Sequence, residues 1–381
     1  MLDEGALETV NVRENRARGE LPDLDLIFQR LENECPGLIE AIPVWQNTVQ
    51  QMEGIYTEGM DLSDITLLSN DIGSHGWNEH VIKDFKLFLM ILPAFLVEHP
   101  EYDCVRIMHA GLGMLVHDLG LLLTEQEKQA GSYSCGAEKY FAHVQLGVDL
   151  VPKLLPVLLN KPVDDSEIQA VQDFVLATEF NFEKLEGDEL SDLFGLIDVM
   201  GYLSDRRHVP IGAAALYQEF TAAAQSSCEF TARFFQTHLK DIAKGLKVTT
   251  AQAQRKFEAR ELTIADLRFP GDSLLNFVTG DFIQNGLRYF PKVWDYLNKW
   301  YGSSQQNLLW DNLLRNVARA RAIQQVAAEP NRPADQVIGA AIQLIAQELT
   351  PVSPEVNDLV RVMAYAEKYV EELTQVLSND K

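Results

Sequence analysis

His117 and Asp118 stand side by side in "MLVHDLG", residues 114–120, inside a segment that is apolar nearly all round. A charged group taken out of water without a partner is costly. The pair is therefore either a hydrogen-bonded core pair or part of a site that holds something. A divalent metal ion is the obvious occupant, since imidazole and carboxylate are common ligands for such ions. Other segments of the chain must then supply further ligands.

Three more residues of ligand type sit in apolar surroundings. His80 opens "NEHVIKDFKLFLMILPAFLVEHP", His143 lies in "AEKYFAHVQLGVDLVPKLL", and Asp198 lies in "LFGLIDVMGYL". Imidazoles and carboxylates on successive helices are how helical bundles build metal sites. Two or three His with two Asp suit iron, manganese, nickel or magnesium, as one ion or two, and not a thiolate zinc site. The Asp118 carboxylate can bridge two ions. The chemistry to expect is attack on a phosphorus centre by a metal-bound hydroxide.

Several residues around this set have two readings each. Lys139 lies one turn before His143 and faces the same way, so it is a candidate to hold a substrate phosphate. Arg206 and Arg207, shortly after Asp198, are candidates for the same task. The plainer reading of all three is solvated surface charge. His75, in the loop "SNDIGSHGW", is a candidate general acid. His109, eight residues before His117 on the same predicted helix, reads as a core histidine.

The elements that must position these residues read as helices almost throughout. "PDLDLIFQRLENE" repeats apolar residues at helical spacing and stops at "CPG". "LIEAIPVWQNTVQQMEGIYTEG", "DSEIQAVQDFVLATEF" and "LSDLFGLIDVMGYLSDRRH" follow the same rule, and "YDCVRIMHAGLGMLVHDLGLLL" reads as one buried central helix. No period-2 strand series and no exact repeat occurs, so the fold class is all-α. After about residue 245 the predicted helices alternate with "RFPGD", "YGSSQQ", "EPNRPAD" and "LTPVSPE", which read as loops.

Composition narrows the function classes. The chain has 381 residues and a formal net charge of −24, the reverse of the basic surface that general nucleic-acid binders show. No apolar run is long enough to span a membrane, and the N-terminus does not read as a secretory signal. The four cysteines are scattered without a CxxC pair and read as free thiols of a reducing compartment. A cytoplasmic protein with no membrane role is the expectation.

The order His, then His-Asp, then a distant Asp resembles the HD superfamily of metal-dependent phosphohydrolases. "HGWNEHVIKDF" is similar to the opening ligand helix, "MLVHDLG" to the "LLHDIG" signature, and "LIDVMGYLSDRRHVP" to the closing helix. "HVQLGVDLV" resembles the "HPxxGxxIL" run of the HD-GYP branch, which hydrolyses cyclic di-GMP. The resemblance implies that His80, His117, Asp118 and Asp198 hold the principal ion and that His143 helps to hold a second. The resemblance covers roughly residues 75–210. The expected organisation is an HD-type core at residues 66–235 between an N-terminal helical segment, 1–65, and a C-terminal helical domain, 236–381, whose plain reading is packing or dimerisation.

The chain also departs from that branch. Leu121 stands where the branch has Lys, and "LATEFNFEKLEGDEL" replaces its "HHE" and "GYP". Ala177 and Thr178 take the place of the histidine pair and leave Glu179 as a further candidate ligand. Two functions follow. One is hydrolysis of a nucleotide or cyclic-nucleotide phosphoester, with Asp118 orienting the nucleophile. The other is a catalytically inactive HD-fold module that senses or binds a protein partner.

Overall fold

The computed structural model describes residues 21–62, 64–69, 76–122, 124–129, 143–178 and 188–198, with shorter stretches within 239–261 and 311–322. The helices are α1 (Leu24–Glu34), α2 (Ala41–Glu58), α3 (Ile82–Glu98), α4 (Cys104–Val116), α5 (Glu125–Gln129), α6 (His143–Leu158), α7 (Asp165–Leu176), α8 (Glu189–Asp198) and α9 (Thr250–Glu258). A two-residue pair, β1 (Met60–Asp61) with β2 (Thr66–Leu67), is antiparallel. The protein is predominantly α-helical. No described helix is long and apolar enough to cross a membrane.

The chain divides into two compact units, and α1 to α8 belong to the first. In the second, α9 is closed at its N-terminus by a capping box between Thr249 and Gln252.

Helix α4 is the centre of the first unit and packs against α2, α3, α7 and α8. Asp103 caps its first turn by accepting from the Arg106 amide, and every residue from His109 to Val116 is buried. Gly111 lets α2 come close, because a Cβ there would overlap the Trp45 indole. The Trp45 Nε1–H donates to the Met108 carbonyl at 3.1 Å.

The apolar segment that reads as one helix is interrupted at His117. The α-helix ends at Val116, and a 3-10 turn covers His117–Leu121. The Nδ1 atom of His117 lies 2.8 Å from the Met114 carbonyl, an acceptor that a continuing α-helix would offer to the amide of residue 118. The side chain thus competes for the helix ladder where the ladder changes.

That turn lies directly on α6. A Cβ on Gly120 would collide with the His143 carbonyl and come within 2.7 Å of the Gly147 amide nitrogen. The two backbones touch only because residue 120 has no side chain. This contact fixes the start of α6 over the His117–Asp118 turn.

Helix α8 is clamped at its N-terminus by Asp188. That carboxylate accepts from the Tyr102 hydroxyl, from the Arg106 guanidinium at 2.8 Å, and from the amide and hydroxyl of Ser191. Burial pushes the carboxyl up, but these donors outweigh it and hold it below the usual carboxylate range. Helix α7 starts with a capping box of Asp164 and Glu167.

Two predictions follow from these contacts. Gly120→Ala should destabilise the protein by about 1–3 kcal/mol, the scale of overpacking against backbone. An unchanged urea midpoint would contradict the close approach. Asp188→Asn should cost about 1–2 kcal/mol at neutral pH through weakened hydrogen bonds. Because the folded carboxyl is depressed, its stabilisation is present above the ordinary carboxylate range and fades as pH falls through the folded value. The two proteins should therefore converge in acid, and a gap that persists there would contradict this origin.

Candidate metal centre

Four side chains from three segments meet at one buried point. His80 comes from a π-helical turn, Trp77–Val81, that leads into α3. Such wide turns are frequent at functional sites because they re-aim a side chain. His117 and Asp118 come from the 3-10 turn, and Asp198 is the last residue of α8. His117 and Asp118 are 0% and 1% exposed, and His80 is 7% exposed.

The separations are those of atoms around a single ion. His80 Nε2 is 3.2 Å from Asp118 Oδ2, 3.1 Å from Asp198 Oδ1 and 3.3 Å from His117 Nε2. His117 Nε2 is 3.3 Å from Asp198 Oδ1 and 3.5 Å from Asp118 Oδ2. Metal–ligand bonds of about 2.1 Å set neighbouring donors about 3.0 Å apart at right angles and about 3.4 Å apart at the tetrahedral angle. These five separations are compatible with one divalent cation held by the two imidazole nitrogens together with carboxylate oxygens of Asp118 and Asp198.

The tautomers agree with this. His117 Nδ1 must carry a proton to donate to the Met114 carbonyl, which turns the other nitrogen inward. His80 Nδ1 lies 3.0 Å from Asp84 Oδ2, so the inward nitrogen of His80 is again Nε2. Asp84 is fully buried in the first turn of α3. Ligand-type atoms of His80, Asp84, His117 and Asp198 all lie within 4.8 Å of one another. Yet Asp84 meets the Nδ1 edge of His80, the edge away from Asp118 and Asp198, and this makes it an orienting partner.

Asp84 is the residue that sequence reasoning missed. Its signal was present, since "HVIKD" places a carboxylate four residues after His80 on the same helical face.

His143, the first residue of α6, stands to one side. Its Nε2 is 3.6 Å from Asp118 Oδ1, while Asp118 Oδ2 faces His80. The two oxygens of Asp118 thus point at different histidines. His109 is buried on α4 and is not part of this cluster. His99 pairs with Glu189 at 2.8 Å, at the opposite end of α8 from Asp198. His75, Lys139, Glu179, Arg206 and Arg207 lie outside the described residues. Ala177 and Thr178 follow α7, and the Thr178 hydroxyl donates to the Val175 carbonyl at 2.7 Å.

Electrostatics define what the pocket holds in the absence of an ion. Burial pulls the His80 imidazole down, but Asp84, Asp118 and Asp198 outweigh it and hold its pKa well above the ordinary histidine range. Burial likewise opposes charge on His117, yet Asp118 and Asp198 lift it to about 9. Burial pushes Asp84 up to about 6 despite the neighbouring His80. Asp198 is pushed up by burial but held well below the carboxylate range by hydrogen bonds from His117 and His80. The inward ring nitrogens are 3.3 Å apart and cannot both point a proton at each other. Carboxylates here need positive charge, and protons and a metal ion are competing ways to supply it.

Metal uptake must therefore displace protons. Calorimetric titration of Mn²⁺ into metal-free protein should show net proton release when the ionisation enthalpy of the buffer is varied. Apparent affinity should rise as pH climbs towards the His117 value of about 9. Uptake without proton release, and with no pH dependence, would exclude the imidazoles as ligands.

No protein-family profile, curated protein or solved structure matches the chain.

Proposed function

We propose that the protein is a metal-dependent phosphohydrolase of the HD type, acting on a phosphoester of a nucleotide or cyclic nucleotide. The observation that carries this reading is that His80 Nε2 and His117 Nε2 lie 3.3 Å apart and each lies 3.1–3.5 Å from Asp118 Oδ2 and Asp198 Oδ1. These residues would hold the principal ion. When bound, the ion makes water nucleophilic near neutral pH and stabilises charge on phosphoryl oxygens.

The protein's own groups have distinct tasks. Asp84 and the Met114 carbonyl fix the tautomers of His80 and His117, so that both inward nitrogens are lone-pair donors to the ion. Asp118 Oδ1, turned away from His80 towards His143, is the carboxylate oxygen available to orient the attacking water. His143 would help to hold a second ion. His75 as proton donor, Lys139 on the substrate phosphate, Glu179 as a further ligand and a dimer through the C-terminal helices complete the proposal.

A second reading is an inactive HD-fold module that binds a partner. The Thr178 hydroxyl favours it, because that side chain is spent on its own helix end where the HD-GYP branch places a ligand.

One experiment separates the two. Mn²⁺-loaded protein should hydrolyse a chromogenic phosphodiester or a member of a nucleotide panel, and Asp118→Ala should lose about 10²-fold or more of that rate, the scale of removing one charge-stabilising group. A metal-loaded protein with no turnover on any phosphoester would support the binding module instead.

A further inference from the structure

Tyr56 lies near the C-terminal end of α2, is 4% exposed, and its hydroxyl has no hydrogen-bond partner among the described residues. A buried hydroxyl left unsatisfied is costly and calls for an explanation. Other hydroxyls in the same unit are used: Thr48 donates to Val44, Tyr102 to Asp188 and Thr178 to Val175.

Its ring borders the turn that carries His80. The Tyr56 ring packs on Trp77, with centroids 5.9 Å apart, and Trp77 opens the turn that carries His80. The side-chain amides of Asn47 and Gln51 on α2 donate to the Leu158 carbonyl at the end of α6, and Asp64, just beyond α2, pairs with Lys153. Burial first, and the Asp118 carboxylate second, hold the phenol well above its ordinary range, so it keeps its proton.

The chemistry of the centre has a gap that this hydroxyl fits. Asp84, Asp118 and Asp198 supply acceptors, and an anionic phosphoester arriving beside them needs donors. A neutral phenol, always protonated and not bonded to any of those carboxylates, is such a donor.

We propose that the Tyr56 hydroxyl is a substrate-binding group of the metal centre, donating a hydrogen bond to a phosphoryl oxygen held there. The proposal rests on the reading of that centre as a phosphoester site.

The test is binding of inorganic phosphate to Mn²⁺-loaded wild type and Tyr56→Phe, followed by calorimetry alongside metal content and thermal stability. The expected result is equal metal content, equal or higher stability of the variant, and phosphate binding weakened roughly 5–10-fold, the scale of one neutral hydrogen bond. Equal phosphate affinity at equal metal content would overturn the role of Tyr56 and leave the metal centre standing. A variant that loses its metal would overturn it too, by making Tyr56 a structural support. A wild type that takes up no Mn²⁺ would overturn both the proposal and the reading beneath it.

Discussion

Asp84, Asp118 and Asp198 place negative charge among the most apolar helices of the protein, and His80 and His117 are what allow it to stay there. Carboxylates withdrawn from water cannot remain ionised unless positive charge or strong donors meet them. His80 touches all three, at 3.0, 3.2 and 3.1 Å. It is the hinge of the arrangement. Moving it would leave Asp84 and Asp118 buried beside too little compensating charge. The cost of this cluster is the reason to regard it as a site: a purely structural core of this size is built more cheaply from apolar side chains.

The surrounding fold reads as a set of devices for holding that cluster together. A π-helical turn aims His80 inward before α3 begins. A 3-10 turn replaces the last turn of α4 and presents His117 and Asp118. Gly120 allows α6 to lie backbone to backbone on that turn, which sets His143 against the outer oxygen of Asp118. Asp188 fastens the far end of α8 to α4 through Arg106, and so fixes the helix that ends at Asp198. Irregular backbone is concentrated where the ligand-type residues sit, and the regular helices beyond it supply rigidity.

Much of this was legible in the sequence, for identifiable reasons. Helices α1, α2, α7 and α8 follow from apolar spacing and clear stops. His80, His117, Asp118 and Asp198 stood out because they are polar residues in apolar segments, and the structure brings these four together. What stayed hidden depends on contacts between segments. The break at Val116 arises where a side chain takes a carbonyl from the helix ladder, and nothing in "MLVHDLG" announces it. The role of Gly120 is set by Gly147 and His143 on another helix. Asp84 gains its role from the Nδ1 edge of His80, and Tyr56 from its packing on Trp77. A residue that supports a ligand leaves a weaker trace in sequence than the ligand itself.

Two imidazoles and two carboxylates are read here as one cation site. The most direct measurement is metal stoichiometry by mass spectrometry after reconstitution and removal of loosely held ions, on wild type and on an Asp118→Ala, Asp198→Ala variant prepared in parallel. Wild type should hold a divalent ion tightly, near one per chain or above, and the variant should lose it with its helical content retained. Wild type that holds no ion under any divalent metal offered, or a variant that holds as much as wild type, would contradict it.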